Sequence, residues 1–298
     1  MNVLIVLNYN DYVTTNDFVL KVKDYSSVDY VIVVDNMSTD NSYEALLPLD
    51  QLDNVDVVRT PHNGGYGYGN NFGIDYARRK FSEIDNFIIS NPDVKVSNDS
   101  IKNILVKLSE NKKVSAASGL VKDAQGKTVH NFAWKVPDYC MMLQNTSIIL
   151  TKLSMKLKIS RFYGIPEHSD VKYVEVLSGC FFIIKHKAFK AINFFDESTF
   201  LYNEENIIFF QLKELGYKQI VLLDEEIIHF EGQSISRSVK NFFKMQSIVK
   251  QSELVYLKKY LKINQFSRVI YEIFFLVGCI EKWTISAIRR NLHLNKDH

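Results

Sequence analysis

The feature that most constrains this chain is an alternation repeated over roughly its first 120 residues. A short apolar run gives way to a polar turn and then to a segment of helical character. Residues 2–8, 30–35, 56–59, 86–90 and 113–119 have strand length and carry few polar interruptions. Such runs fit a mainly parallel sheet with helices on both faces, because strands covered on both sides read as near-continuous apolar segments. Helices are expected at about 72–80 and 98–110, with a helix or irregular connection at 11–25. The cap-forming stretch Asn36–Ser42 leads into a further short helix.

An open sheet of this kind binds ligands beyond the carboxyl ends of its strands. Four polar clusters fall there: Asn8, Asp35, the segment Asn63–Asn71, and Asp93. Their convergence on one edge says more than any of them singly. The third strand runs into Asn63-Gly64-Gly65-Tyr66-Gly67-Tyr68-Gly69-Asn70-Asn71, and glycines this dense permit positive φ and close approach of backbone to a ligand. Amide groups at the following helix start are suited to phosphate. The segment does not follow the first strand and lacks the Lys-Ser/Thr ending of a P-loop, so neither common nucleotide motif accounts for it. Asp93 ends a strand behind a proline, a position suited to Mg²⁺ or Mn²⁺. Taken singly, a carboxylate in such a place is more often an ordinary cap or surface group.

The second half is less regular. Asn131–Met142, with Trp134, Pro137 and Tyr139, reads as a loop over a site, and residues 145–162 as a helical stretch. Strands are expected at 181–184, 219–223 and 227–230, and helices at 187–192 and 206–215. Glu204 and Glu205 stand side by side at a helix start. Adjacent residues do not share a helix face, so at most one should enter a site; otherwise both serve the helix N-terminus. His229 closes a strand, where a histidine is a structural residue or, with Asp93 across a cleft, a metal or phosphate ligand.

Residues 235–298 differ in kind. They hold 12 Lys and Arg against 4 Asp and Glu, a net of +8 in a chain whose total is +2, so the upstream body carries −6. Long helices are expected at 238–261 and 265–290. In the second, Ile270, Ile273, Phe274, Val277, Ile280 and Thr284 form a stripe that Phe275, Leu276 and Trp283 widen. The stripe packs on its own body or on a second copy, or it lies on an anionic membrane surface beside Arg268, Lys282, Arg289 and Arg290. No nucleic acid partner is expected, since the basic tail carries no recognised reading motif.

At 298 residues the chain has room for one large or two medium domains, and its 46% hydrophobic and 23% charged fractions are those of a globular protein. Cys140, Cys180 and Cys279 are too few and scattered for a disulfide framework, which fits a reducing compartment. Met1-Asn2 precedes Val3–Leu7 with no basic region or cleavage site, so this segment reads as a buried strand rather than a signal peptide. No apolar run reaches about 18 residues, so no conventional membrane span is expected.

Taken together, Val6–Asn10, Val34–Asp40, Asn63–Ile74, Asn91-Pro92-Asp93, Leu177–Cys180, Phe200–Glu205 and His229–Ser234 resemble glycosyltransferase family 2 over roughly residues 1–235. The likeness is to bacterial rhamnosyl-, galactosyl- and galactofuranosyltransferases of surface polysaccharides. It implies a GT-A nucleotide-sugar transferase fold, α/β with a mixed, mainly parallel central sheet, spanning 1–235, and a basic helical extension over 236–298. It further implies inverting transfer from a UDP- or dTDP-linked sugar, with Mg²⁺ or Mn²⁺, to a hydroxyl of a growing, lipid-linked surface glycan. The expected setting is cytoplasmic and peripheral, on the inner face of a bacterial plasma membrane, with a membrane surface or a homo-oligomer as further partner.

Carried over position by position, the resemblance makes Asp35 the base contact. Asn8, Asn10, Asn63, Gly64, Gly65, Gly69, Asn70 and Asn91 line the donor site. Asp93 matches the last acid of the family's DxD-type motif, with Asn91 in place of the first, and His229 lies near diphosphate or metal. Glu205 falls at the general base and Glu204 beside it; since the family often has Glu-Asp there, the choice between them stays open. The alternatives are a transferase acting on polyprenyl phosphate, a nucleotidyltransferase, and a non-catalytic nucleotide-sugar-binding protein.

Overall fold

A computed structural model describes residues 1–157, 159–165, 169–230 and 241–294, with side chains as far as 288. Glu231, Gly232, Ser234, the expected 235/236 boundary and the first residues of the expected 238–261 helix lie outside the described residues, as do the side chains of Arg289 and Arg290.

The apolar runs form the strands they predict. β1 (Asn2–Asn8), β2 (Tyr30–Asp35), β3 (Val55–Arg59) and β4 (Asn86–Ser90) pair in parallel in the order β3-β2-β1-β4. Val3–Val6, Val31–Val34 and Phe87–Ile89 are almost completely buried, which is why these strands show no alternation. The short β5 (Val94–Lys95), which the sequence does not suggest, follows β4 directly. Next come β6 (Val114–Lys122), β7 (Ala133–Trp134), β8 (Val171–Val174), β9 (Val176–Leu177), β10 (Phe181–Lys185) and β11 (Lys218–His229). β10 inserts antiparallel between β4 and β6, and β6 pairs in parallel with β11. β5 and β8 pair antiparallel with β11, so the sheet is mixed, with the antiparallel pairings of β10, β5 and β8 set beside the more extensive parallel pairings of β1–β2, β1–β4, β2–β3 and β6–β11. The strands expected at 219–223 and 227–230 are one strand, whose register on β6 shifts between Leu222 and Glu226.

Helices connect and cover the sheet: α1 (Tyr12–Val22), α2 (Ser42–Leu46), α3 (Tyr66–Lys80) and α4 (Asn98–Glu110) in the first half. α3 begins six residues earlier than expected. Its glycines are poor helix formers, yet they let it lie close on the sheet: a Cβ at Gly69 would overlap Leu7, and one at Gly73 would press on Val34 and Ile5. The stretch expected as one helix at 145–162 is α5 (Tyr139–Asn145) and α6 (Ile148–Lys156), each capped by its own side chain, Asp138 and Ser147. α7 (His186–Ala191) and α8 (Glu204–Glu214) follow near their expected positions.

Beyond the mixed sheet lie α9 (Phe242–Val255), a π-turn at Tyr256–Tyr260, and α10 (Gln265–Leu294). They share a second apolar cluster with the body, in which Tyr256, Leu257, Tyr271 and Phe275 bury against Met142 and Ile207. Of the apolar stripe read from the sequence, Phe275 faces inward. Ile273, Phe274, Leu276, Val277, Ile280 and Trp283 are exposed. No helix among the described residues is long and apolar enough to cross a membrane.

Candidate active site

The ends of β1 and β2 are tied together by polar side chains. Asn8 is fully buried; its Nδ2 donates to Asp35 Oδ1 (2.9 Å) and its Oδ1 accepts from Thr15 (2.9 Å). Ser38 N donates to Asp35 Oδ2, and Arg59 Nε stands 3.2 Å from the same oxygen, an ionic contact not aligned as a hydrogen bond. Asn10, at φ 54°, exchanges hydrogen bonds with Thr39 and donates its amide to Ser38 Oγ. Asp35 is thus wholly buried with both oxygens engaged, and the surface at this edge is formed by the residues it holds.

The glycine segment joins this network through a residue the sequence reading did not single out. Asn36 Nδ2 donates to Asn63 Oδ1 and to the Gly65 carbonyl, each at 3.1 Å. Gly65 has φ +93°, and a Cβ there would overlap the Phe200 carbonyl, which accepts from Tyr66 N at 2.9 Å. Gly64 packs against the Tyr68 ring. Gly69 and Asn70 fall within α3 rather than in a loop: Gly69 meets Leu7, and buried Asn70 donates to the Tyr66 carbonyl while its Oδ1 lacks a partner. The packing of α3 on β1 and β2 therefore accounts for Gly69 by itself.

At the end of β4, Asp93 is buried with its Oδ1 3.3 Å from His229 Nε2. The pairing of β5 with β11 creates this contact by setting Val94 opposite His229. Burial pulls the imidazole down, but its hydrogen bonds to Asp93 and Cys180 and their charges outweigh it and raise His229 to about 10. Asn91 donates its amide to the Cys180 carbonyl (2.8 Å). The Ser178–Cys180 turn is therefore shared between the Asp93–His229 pair and what lies beyond it.

What lies beyond is Glu205. Tyr202 and Asn203 both have positive φ (73° and 69°), a backbone that few side chains adopt, and α8 starts directly after them. Glu204 is buried (4% exposed) and its Oε1 has no hydrogen-bond partner. Glu205 is partly exposed and its carboxylate sits against Gly179, where a Cβ would overlap it. Only glycine leaves that space. Tyr66 at the start of α3 donates to the Gly179 carbonyl (2.9 Å), so the glycine segment, the turn and the acid are fastened together. Burial raises both acids; with the charge of Glu205 added, Glu204 reaches about 8.

All the residues expected at the site except Gly69 and Asn70 lie in three connected groups: Asn8, Asn10, Asp35, Asn63, Gly64 and Gly65 at the β1–β2 edge; Asn91, Asp93 and His229; Glu204 and Glu205. Gly69 and Asn70 stand behind the first. The C-terminal helices brace the third group. Ser252 donates to the Leu201 carbonyl (2.8 Å), Tyr202 to Met245 Sδ (3.4 Å) and Tyr256 to the Pro137 carbonyl (2.8 Å), while Lys259 and Tyr260 bind Asp196.

A mixed α/β sheet with polar groups gathered at the strand ends and an acid at the start of a following helix defines a GT-A-like nucleotide-sugar transferase fold. The chain belongs to Glycosyl transferase family 2, whose profile matches residues 3–192, and it is a glycosyltransferase. It is 25% identical over 214 residues to an N-acetylglucosaminyl-diphospho-decaprenol L-rhamnosyltransferase of Mycobacterium tuberculosis, covering 70% of this chain and 68% of that protein. A mannosyltransferase from Pyrobaculum calidifontis, solved with GDP-Man and Mn²⁺, superposes with a TM-score of 0.57 at 12% identity, over 96% of this chain and 75% of that one. Residues 1–349 of TarS from S. aureus, solved with UDP-GlcNAc, superpose at 0.53 with 15% identity, over 86% and 66%. These two likenesses concern the fold.

Proposed function

We propose that this enzyme transfers a sugar from a nucleoside-diphosphate-sugar to a hydroxyl of a lipid-linked surface glycan, inverting the anomeric centre. The observation that carries the reading is the placement of Glu205, a partly exposed acid seated on Gly179, one turn away from the Asp93–His229 pair. In this reading the donor diphosphate lies by Asp93 and His229, and the nucleoside lies on the β1–β2 edge held by Asn8, Asn10 and Asp35. Glu205 takes the proton of the acceptor hydroxyl as that oxygen attacks the anomeric carbon from the side opposite the leaving diphosphate. One displacement inverts the centre, and no sugar becomes attached to the protein. Glu204, buried beside it and pushed towards its protonated form, does not compete for that role.

Asp93 offers a divalent ion a hard carboxylate oxygen, and His229, held protonated beside it, would lend its imidazole nitrogen only on giving up that proton as the ion binds. Among the described residues there is no group of three or more His, Cys, Asp or Glu that could hold a metal, so diphosphate oxygens and water would complete the shell. A Mg²⁺ or Mn²⁺ ion held there would neutralise charge on the leaving diphosphate. The rhamnosyltransferase relative supports a deoxyhexose donor and a diphosphate-linked acceptor. The test is protection from thermal unfolding by a panel of UDP- and dTDP-sugars with Mn²⁺ or Mg²⁺. A true donor raises the apparent melting temperature by mass action, whereas a flat panel with either metal contradicts the reading.

A lipid-linked acceptor accords with the surface left open by α10. The exposed Leu276, Ile280 and Trp283 lie in the segment with the basic excess, and each basic residue near an anionic surface contributes about 1 kcal/mol. Since Tyr271 and Phe275 anchor α10 to the body, point substitutions are preferable to truncation. The wild-type chain is expected to float with anionic liposomes and the combined L276Q, I280Q and W283Q variant to stay behind. Equal recovery would assign the stripe to contacts between copies instead.

A further inference from the structure

Arg161 is a cation that forms no ion pair among the described residues, in a place where the reaction supplies an anion. Its backbone runs beside β7, since the Arg161 carbonyl accepts from Lys135 N (2.9 Å) and Phe162 bridges to Trp134. The guanidinium lies over Phe162 (4.9 Å to the ring centre) and Trp134 (5.4 Å), a shelf locked to α8 by Trp134 Nε1 donating to Asn206 Oδ1 (2.7 Å). Arg161 is partly exposed, its Nε is buried with no hydrogen-bond partner, and it forms no ion pair among the described residues. Glu205 and Glu253 act on it electrostatically from beyond ion-pair distance. Burial pulls it down to about 10, which leaves it charged at neutral pH.

We propose that Arg161 and its aromatic shelf form an anion subsite that receives the phosphate carried by the acceptor. The subsite rests on the acceptor reading given above and adds to it the group recognised. The guanidinium fork matches phosphate oxygens and uses the idle Nε–H. Glu205 acts on Arg161 electrostatically from beyond ion-pair distance, and in this proposal one sugar ring sits between the two. The ring's hydroxyl meets Glu205 and its anomeric phosphate meets Arg161. The shelf under Arg161 is locked to α8, the helix that carries Glu205, and Glu205 is among the groups acting on it, so in this proposal the anion belongs to the acceptor and not to the nucleotide.

Inorganic pyrophosphate in EDTA is the probe, titrated calorimetrically against full-length wild type and R161Q, with nucleoside diphosphate plus Mn²⁺ as the donor-side control. Loss of a charge-assisted contact should weaken pyrophosphate by about tenfold or more and leave nucleotide affinity unchanged. Unchanged pyrophosphate affinity overturns the proposal, and so does an equal loss of nucleotide affinity, which would give Arg161 to the donor. A variant-free arm covers misfolding of R161Q: pyrophosphate in EDTA should protect Arg161 of the wild type from phenylglyoxal, read by mass spectrometry, and absence of protection overturns the subsite. Neither arm requires turnover, so a wrong donor or acceptor assignment would leave both readouts intact.

Discussion

Replacing Glu205 with Gln is expected to lower kcat by about 10²–10⁴-fold, roughly 3–5 kcal/mol of transition-state stabilisation. Gln keeps the size of the side chain and can sit against Gly179, but it cannot take the acceptor proton. Donor affinity should change little, because the proposed diphosphate contacts are those of Asp93 and His229. Glu204→Gln should retain most turnover, since Glu204 is buried with one oxygen unpartnered. It should also stabilise the fold in a pH-dependent way. A carboxyl whose pKa is raised in the folded state contributes stability that is present below its unfolded value, near 4.5, and is lost as pH rises through about 8. The gain in melting temperature from Glu204→Gln should therefore be small at pH 5 and large at pH 8. Loss of kcat in Glu204→Gln with Glu205→Gln near wild type would reverse the two roles.

Asp93→Asn is expected to lower turnover by about 10²-fold or more, the scale of losing one electrostatic contact to a leaving group. The change removes the carboxylate charge with little change of shape, while the Phe230 amide keeps its bond to the Asp93 carbonyl, which belongs to the backbone. Donor affinity measured with and without Mn²⁺ is the specific readout. The wild type should bind donor more tightly with metal, and the variant should lose that difference. Unchanged activity with the same metal dependence would remove Asp93 from the mechanism.

Much of this site is legible in the sequence because strand ends in an α/β sheet leave a compositional trace. Apolar runs that stop at Asn8, Asp35 and Asn91–Asp93 mark where the chain emerges from the core, and the structure gathers those residues on one edge. The start of α3 is harder to see, since glycine's low helix propensity conceals a helix whose glycines exist for contact with Leu7, Val34 and Ile5. Gly179 is visible as a glycine, but its reason, the carboxylate of Glu205, lies across the fold. Asn36 and Arg161 belong to no periodicity and acquire meaning only from Asn63 and from Trp134. In α10 the stripe includes Phe275 but does not separate inward from outward residues, because apolar residues surround much of that helix. Only packing reveals that Tyr271 and Phe275 hold it to the body while Leu276, Ile280 and Trp283 remain open.

The measurement that reaches the central claim most directly is the anomeric configuration of the product formed from an identified donor, read by NMR before any spontaneous mutarotation or hydrolysis. A single attack assisted by Glu205 predicts a product linkage opposite in configuration to the donor's sugar–phosphate bond. A product that retains the donor's configuration would contradict the account, since retention by a double displacement needs an attached sugar intermediate for which Glu205, acting as a base, has no part.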